Sequence, residues 1–168
     1  MATKDKGPKG SDGRPVAQNR KARHDYEILE TFEAGMVLVG SEVKSLREGR
    51  SQLRESFARV EGGEVWLYGA HIPPYSFANG RDGHAPDRRR KLLLHHREIN
   101  QLLVRSQVEH LTIIPLAAYF KEGRAKIEIA LARGRKSYDK RQVIAERDAA
   151  REDERGAHRR GRSGDRTR

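Results

Sequence analysis

Two short apolar runs, residues 57–60 and 65–69, flank Glu61-Gly62-Gly63-Glu64, and their pairing constrains the fold more than any other stretch. Two adjacent glycines reach the positive φ angles of a two-residue turn at no steric cost, so an antiparallel hairpin is expected. In the second run Val65 and Leu67 alternate with Trp66 and Tyr68. Successive side chains of a strand point to opposite faces, so both faces of this sheet need cover. A closed or half-closed barrel supplies it.

The same period of two recurs along the chain. Tyr26, Ile28, Glu30 and Phe32 alternate with Glu27, Leu29 and Thr31, which predicts a strand. Glu33-Ala34-Gly35 is expected to bend or bulge it before a short apolar strand over 36–39. Residues 111–121 and 124–132 predict two more strands joined tightly at Glu122-Gly123, with Lys126 on the face opposite Ile127, Ile129 and Leu131. A helix is expected near 41–48, with Ser41 as N-cap and Gly49 as its stop, and another near 96–108, where Ile99, Leu102 and Leu103 share a face. Residues 73–87 hold three prolines and two glycines and read as a long loop, followed by the basic block Arg88-Arg89-Arg90-Lys91 and then Leu92-Leu93-Leu94. The expected fold is mostly β with a few helices, a small antiparallel OB-type barrel over 19–134 with basic extensions at both ends. Residues 1–18 read as a disordered arm, and 135–168 as a tail that is disordered alone because only Val143 and Ile144 are substantially apolar.

Charge points to the class of partner. The net charge is +11, yet residues 25–132 carry as many acidic as basic side chains; the excess lies in 1–24 (+5) and 133–168 (+6). A balanced body with basic arms is the arrangement of a polyanion binder, nucleic acid above all. Within Gly134-Arg135-Lys136-Ser137-Tyr138-Asp139-Lys140-Arg141, cations, one ring and one carboxylate stand side by side. Phosphates attract the first, a base stacks on the second, and an exocyclic amine or ribose hydroxyl donates to the third. The absence of cysteine excludes a disulfide scaffold and any thiolate metal site, and no apolar run reaches membrane-spanning length. A cytoplasmic protein without a membrane partner is expected.

The sequence carries no positive sign of catalysis. Seven histidines include no His-x-x-x-His pair, and adjacent His95 and His96 diverge on a helix, so neither a metal nor a cofactor is expected. Gly134-Arg135-Lys136-Ser137 lacks the earlier glycine of a phosphate loop, and no Gly-x-Ser-x-Gly elbow occurs.

Several motifs in order resemble the SsrA-binding protein family, also called small protein B. They are Asn19-Arg20-Lys21-Ala22-Arg23-His24-Asp25-Tyr26, Glu33-Ala34-Gly35, Glu42-Val43-Lys44-Ser45-Leu46-Arg47, Arg90-Lys91-Leu92-Leu93-Leu94 and Tyr138-Asp139-Lys140-Arg141. The resemblance runs from about Asn19 to Arg151. It implies an adaptor that binds the tRNA-like domain of transfer-messenger RNA and brings it to stalled ribosomes, with elongation factor Tu and alanyl-tRNA synthetase engaged indirectly through the RNA. The tail, helical on the ribosome, would occupy the small-subunit decoding site and the empty message channel.

Carried over by motif, the RNA-facing positions are Glu33, Leu93 and Lys126; Asn19, Lys21, Lys44, Arg47, Arg90 and Lys91 join them on charge and placement. Leu93 fits the core equally well, and Glu33 fits a plain turn. The tail positions expected at the ribosome are Gly134, Lys136, Tyr138, Asp139, Lys140 and Arg141, with Tyr138 either stacking on a base or covering the end of the barrel. The chain departs from the family where Ala85 precedes Pro86 and where Tyr138 replaces a common His. The alternative function is a ribosomal or ribosome-assembly protein bound to ribosomal RNA.

Overall fold

The computed structural model describes residues 14–80, 83–135 and 137–160, apart from the side chains of 137–140, 143, 154 and 156–160. The chain divides after Gly134 into a body and a tail. The body runs β1 (Ala17–Gln18), α1 (Ala22–Asp25), β2 (Tyr26–Met36), α2 (Gly40–Arg47), β3 (Phe57–Glu61), β4 (Glu64–Tyr68), β5 (Arg90–Leu93), α3 (His96–Val108), β6 (Thr112–Lys121) and β7 (Arg124–Gly134). The tail holds α4 (Ser137–Arg160). The architecture is mostly β, and the paired strands are antiparallel.

The ladder follows the order β6-β3-β4-β5-β2-β7 and returns through a β6–β7 pairing, so these six strands form a ring. The hairpin explains why the ring is needed. Gly62 and Gly63 take φ angles of 58° and 76° at the β3–β4 turn, Val65 and Leu67 lie wholly inside, and Trp66 and Tyr68 are half-buried on the outer face. There Tyr68 stacks on Phe57 with centroids 5.5 Å apart, and the Arg89 guanidinium lies 4.5 Å above the Trp66 ring. Inside, Phe32, Leu92, Leu102, Ile127, Ile129 and Leu131 join the hairpin residues in one core.

Several local expectations are corrected. The body begins before Asn19, because β1 pairs Ala17 with Ala118 and Gln18 with Ala117. Only Val16 and Ala17 mark it in the sequence, too short a run to read as a strand; β3 engages that side of β6 only at Ile113, which leaves a length of backbone for β1. The irregularity in β2 falls between Ile28 and Glu30 rather than at Glu33-Ala34-Gly35, and the strand ends at Met36, leaving Val37 and Val39 exposed. α2 starts at Gly40; Ser41 bonds His84 instead of capping, and the Glu42 carboxylate reaches back to accept from the Val39 amide at 3.0 Å. Pro115 lies in β6 beside a register shift, where its missing amide is tolerated. The tail is helical, as its many good helix formers, among them Ala145, Ala149 and Ala150, permit.

Arg90 is the largest correction. It is expected on the surface, yet β5 alternation turns it inward opposite Leu67, and it is fully buried with Glu42. Its Nε donates to Glu42 Oε1 at 2.9 Å, and its terminal nitrogens donate to the carbonyls of Ala70 and Pro86. Arg88 adds two hydrogen bonds to the same carboxylate. Burial alone pushes the Glu42 carboxyl up; hydrogen bonds from Arg88 and the Val39 amide, with the charge and hydrogen bond of Arg90, outweigh it and hold the group below the usual carboxylate range.

A lowered folded-state pKa stabilises the fold above the ordinary carboxylate pKa and ceases to do so as pH falls through the folded value. Glu42→Ala leaves Arg90 buried without its partner. It is expected to lower unfolding free energy by about 3–5 kcal/mol and to flatten the acid limb of the stability profile, measured by urea unfolding across pH.

Candidate nucleic-acid interface

The register of three strands assembles the principal site. On β2, Gly35 pairs with Leu93 of β5 on one side and Lys126 of β7 on the other, and Lys126 in turn pairs with Tyr119 of β6. Having no side chain, Gly35 leaves space between its neighbours; a Cβ there would lie 3.4 Å from that of Leu93. Glu33, two residues back on the same face, joins Leu93, Leu94, His95, Glu98 and Lys126 around an open depression of about 460 Å³. Alternation settles Leu93: Leu92 enters the core and Leu93 is 53% exposed.

Glu33 is held in place rather than free to rotate. The Tyr119 hydroxyl donates to Glu33 Oε2, and Lys121 Nζ lies 3.3 Å from Oε1. The hydrogen bond from Tyr119 is the main reason its carboxyl lies below the usual range; partial burial opposes it, and Lys121 and Lys126 reinforce it. The Tyr119 hydroxyl is pushed well above its ordinary value by burial and by the same carboxylate. The depression therefore presents a fixed acceptor, an apolar surface and a cation. Tyr119 and Lys121 do not stand out in the sequence, although their place at the β6–β7 hairpin, across from Lys126, is a signal that points to them.

The other expected residues distribute differently. Lys44 and Arg47 lie exposed on α2, with Lys44 Nζ 5.5 Å from the Tyr75 ring centroid and the Arg47 guanidinium 4.0 Å over Phe120. Lys91 pairs with Trp66 in the ladder and makes a salt bridge to Glu64. Asn19 and Lys21 lie at the β1–α1 corner beside a separate pocket with Asp25, Arg54 and Phe57. The Asn19 side chain is engaged in the fold: its amide donates to the Pro115 carbonyl at 3.1 Å and its oxygen accepts from the Ala22 amide at 3.2 Å. Lys21 is half exposed and 3.7 Å from Asp25. Arg90 is inside.

Of the tail positions, Gly134 ends β7 and Arg141 is exposed on α4. Lys136 lies outside the described residues, as do the side chains of Tyr138, Asp139 and Lys140. Among the described residues, no cluster of three or more His, Cys, Asp or Glu could hold a metal, and no helix is long and apolar enough to cross a membrane.

Comparison with known proteins brings one family forward. The model of the family described as SmpB protein matches residues 16–159. The chain is 57% identical over 145 residues to a protein named SsrA-binding protein from Parafrankia sp. (strain EAN1pec), covering 86% of this chain and 91% of that one. It is 54% identical over 160 residues to a protein of the same name from Thermobifida fusca (strain YX), covering 95% and 99%. A solved structure described as "tmRNA-SmpB: a journey to the center of the bacterial ribosome" contains a chain 52% identical, with a TM-score of 0.59, over 71% of this chain and 84% of that one.

The bond from Tyr119 makes a prediction about charge. Tyr119→Phe removes the largest influence that lowers the Glu33 pKa while keeping the ring, so the Glu33 carboxyl should titrate at higher pH. Carboxyl-carbon NMR titration reads this; an unmoved Glu33 would show that the hydroxyl does not hold it.

Proposed function

Because this chain belongs to the SmpB family, we propose that it is an RNA-binding adaptor of ribosome rescue, holding the tRNA-like domain of transfer-messenger RNA and bringing that RNA to stalled ribosomes. The observation that carries this reading is the convergence of Glu33, Leu93 and Lys126 from three strands on one depression. A fixed carboxylate accepts from a base amine or ribose hydroxyl, a leucine side chain covers the face of a sugar or base, and a lysine meets a phosphate. The ring of strands is read as an OB-type barrel, an architecture used to bind oligonucleotides.

Beyond the depression, Lys21 at the β1–α1 corner, Lys44 and Arg47 on α2 and Lys91 on β5 provide phosphate contacts at the surface. Arg90 serves from inside by fixing β5 against α2, and Asn19 by fixing the β1–α1 corner. The tail acts separately, with α4 entering the decoding site and the empty message channel of the small subunit. Gly134 and Lys136 lead into it, Tyr138 stacks on a base, and Asp139, Lys140 and Arg141 anchor it at the channel mouth. On this reading the chain makes and breaks no bond itself. Peptide transfer belongs to the ribosome, and alanyl-tRNA synthetase and elongation factor Tu act through the RNA.

Copurified RNA provides the direct test: transfer-messenger RNA should be strongly enriched over bulk ribosomal RNA, and the reverse ratio would sink the reading in favour of a ribosomal protein. Truncation after Arg135 removes α4 and leaves the body unit whole. It is expected to retain RNA binding and to abolish tagging of stalled peptides. An equal loss of both would refute the division of labour.

A further inference from the structure

Phe77 is 80% exposed, more than any other large apolar side chain described in the body. A lone exposed phenylalanine is ordinary on a surface, but this one stands in a constructed setting. The base of its loop is fastened to α2: Ser45 Oγ donates to the Pro73 carbonyl, and His84 bonds both Ser41 Oγ and the Ile72 carbonyl, each at 2.9 Å. Arg50 ties Ser76 and Glu48 together. Above these anchors the Tyr75 and Phe77 rings meet edge to face, with centroids 5.6 Å apart and planes at 61°. Lys44 lies over the Tyr75 ring.

The chemistry around the rings selects the partner. Lys44, Arg47 and Arg50 are the cations here; Glu48 pairs with Arg50, so the four groups together remain net positive. An apolar protein surface docking here would strip water from those cations without replacing it. A single-stranded nucleic acid offers a flat base for the ring and phosphates for the cations at once. The position of the surface selects the molecule. α2 begins four residues after the end of β2, and the Val37 amide between them bonds the Lys91 carbonyl, two residues from Leu93 on β5. The helix to which the aromatic loop is fastened thus starts beside β2 and β5, the strands that contribute Glu33 and Leu93 to the depression.

We infer that Tyr75 and Phe77, with Lys44 and Arg50, form a base-stacking platform for an unpaired loop of the same transfer-messenger RNA that the Glu33–Leu93–Lys126 depression holds. The inference rests on the function proposed above. It assigns to this loop a recognition role that its basic neighbours alone do not explain, because stacking tolerates any base and adds affinity that does not depend on salt.

The full chain is tested against the transcribed tRNA-like domain over a series of salt concentrations. Phe77→Ala, at a site too exposed to disturb the core, should weaken binding about ten-fold with the salt slope unchanged, and Phe77→Trp should restore it. Lys44→Ala should flatten the slope by about 0.7–0.9. A benzophenone amino acid at position 77 should crosslink to an unpaired nucleotide of that RNA in a mixture that also contains ribosomes. If Phe77→Ala binds normally while Lys126→Ala binds weakly, the platform is refuted and the proposed function stands. If neither substitution weakens binding, the function assigned to the depression fails too. Crosslinking solely to ribosomal RNA or to a protein would also overturn the platform.

Discussion

Glu42 and Arg90 are both withdrawn from water, and a charge so placed survives only beside its opposite with its remaining hydrogen bonds met. Their pairing requires α2 to lie against β5 at one separation and rotation. The carbonyls of Ala70 and Pro86, which take the other nitrogens of Arg90, bring the exit of β4 and the end of the long loop to the same point. The surface inherits this order. Lys44 and Arg47 stand where they do because Glu42, on their own helix, is fixed, and Lys91 and Leu93 face outward because Arg90 and Leu92 face inward.

The electrostatic logic of the strands and helices follows from the equal counts of acid and base in residues 25–132. Long-range attraction for a polyanion comes from the ends of the chain, while the body discriminates by placing individual groups. Glu33 illustrates the point. On the proposed RNA-binding surface a carboxylate would repel phosphate and serve only where it meets a donor; the bonds from Tyr119 and Lys121 hold Glu33 in one orientation. Preparing the acceptor in the free protein avoids the cost of ordering it on binding.

Much of this was legible in the sequence because side-chain alternation reports the inside and outside of a strand. The Gly62-Gly63 turn, the antiparallel, mostly β character and the position of Lys126 opposite Ile127 all follow from period two. What the pattern does not show depends on partners distant in sequence. β1 is defined by the backbone of β6 and carries almost no pattern of its own. Arg90 reads as one of four adjacent cations until β5 has a direction and Glu42 a place; only then does alternate burial separate it from Arg89 and Lys91. The bond from Tyr119 to Glu33 spans 86 positions and joins two strands that do not pair with each other but each pair with β7.

The ring of strands also limits how a partner can be recognised. Around most of its circumference each strand has neighbours on both sides, and β1 occupies the stretch of β6 beyond Ile113. Among the described residues no strand of the ring ends the sheet, and this closure limits sheet-to-sheet aggregation, although β2 meets β5 only at Gly35 and Met36. The candidate interface accordingly presents side chains on a wall of strands rather than a free strand edge. Specificity can then be altered one position at a time without reopening the backbone that holds the wall together.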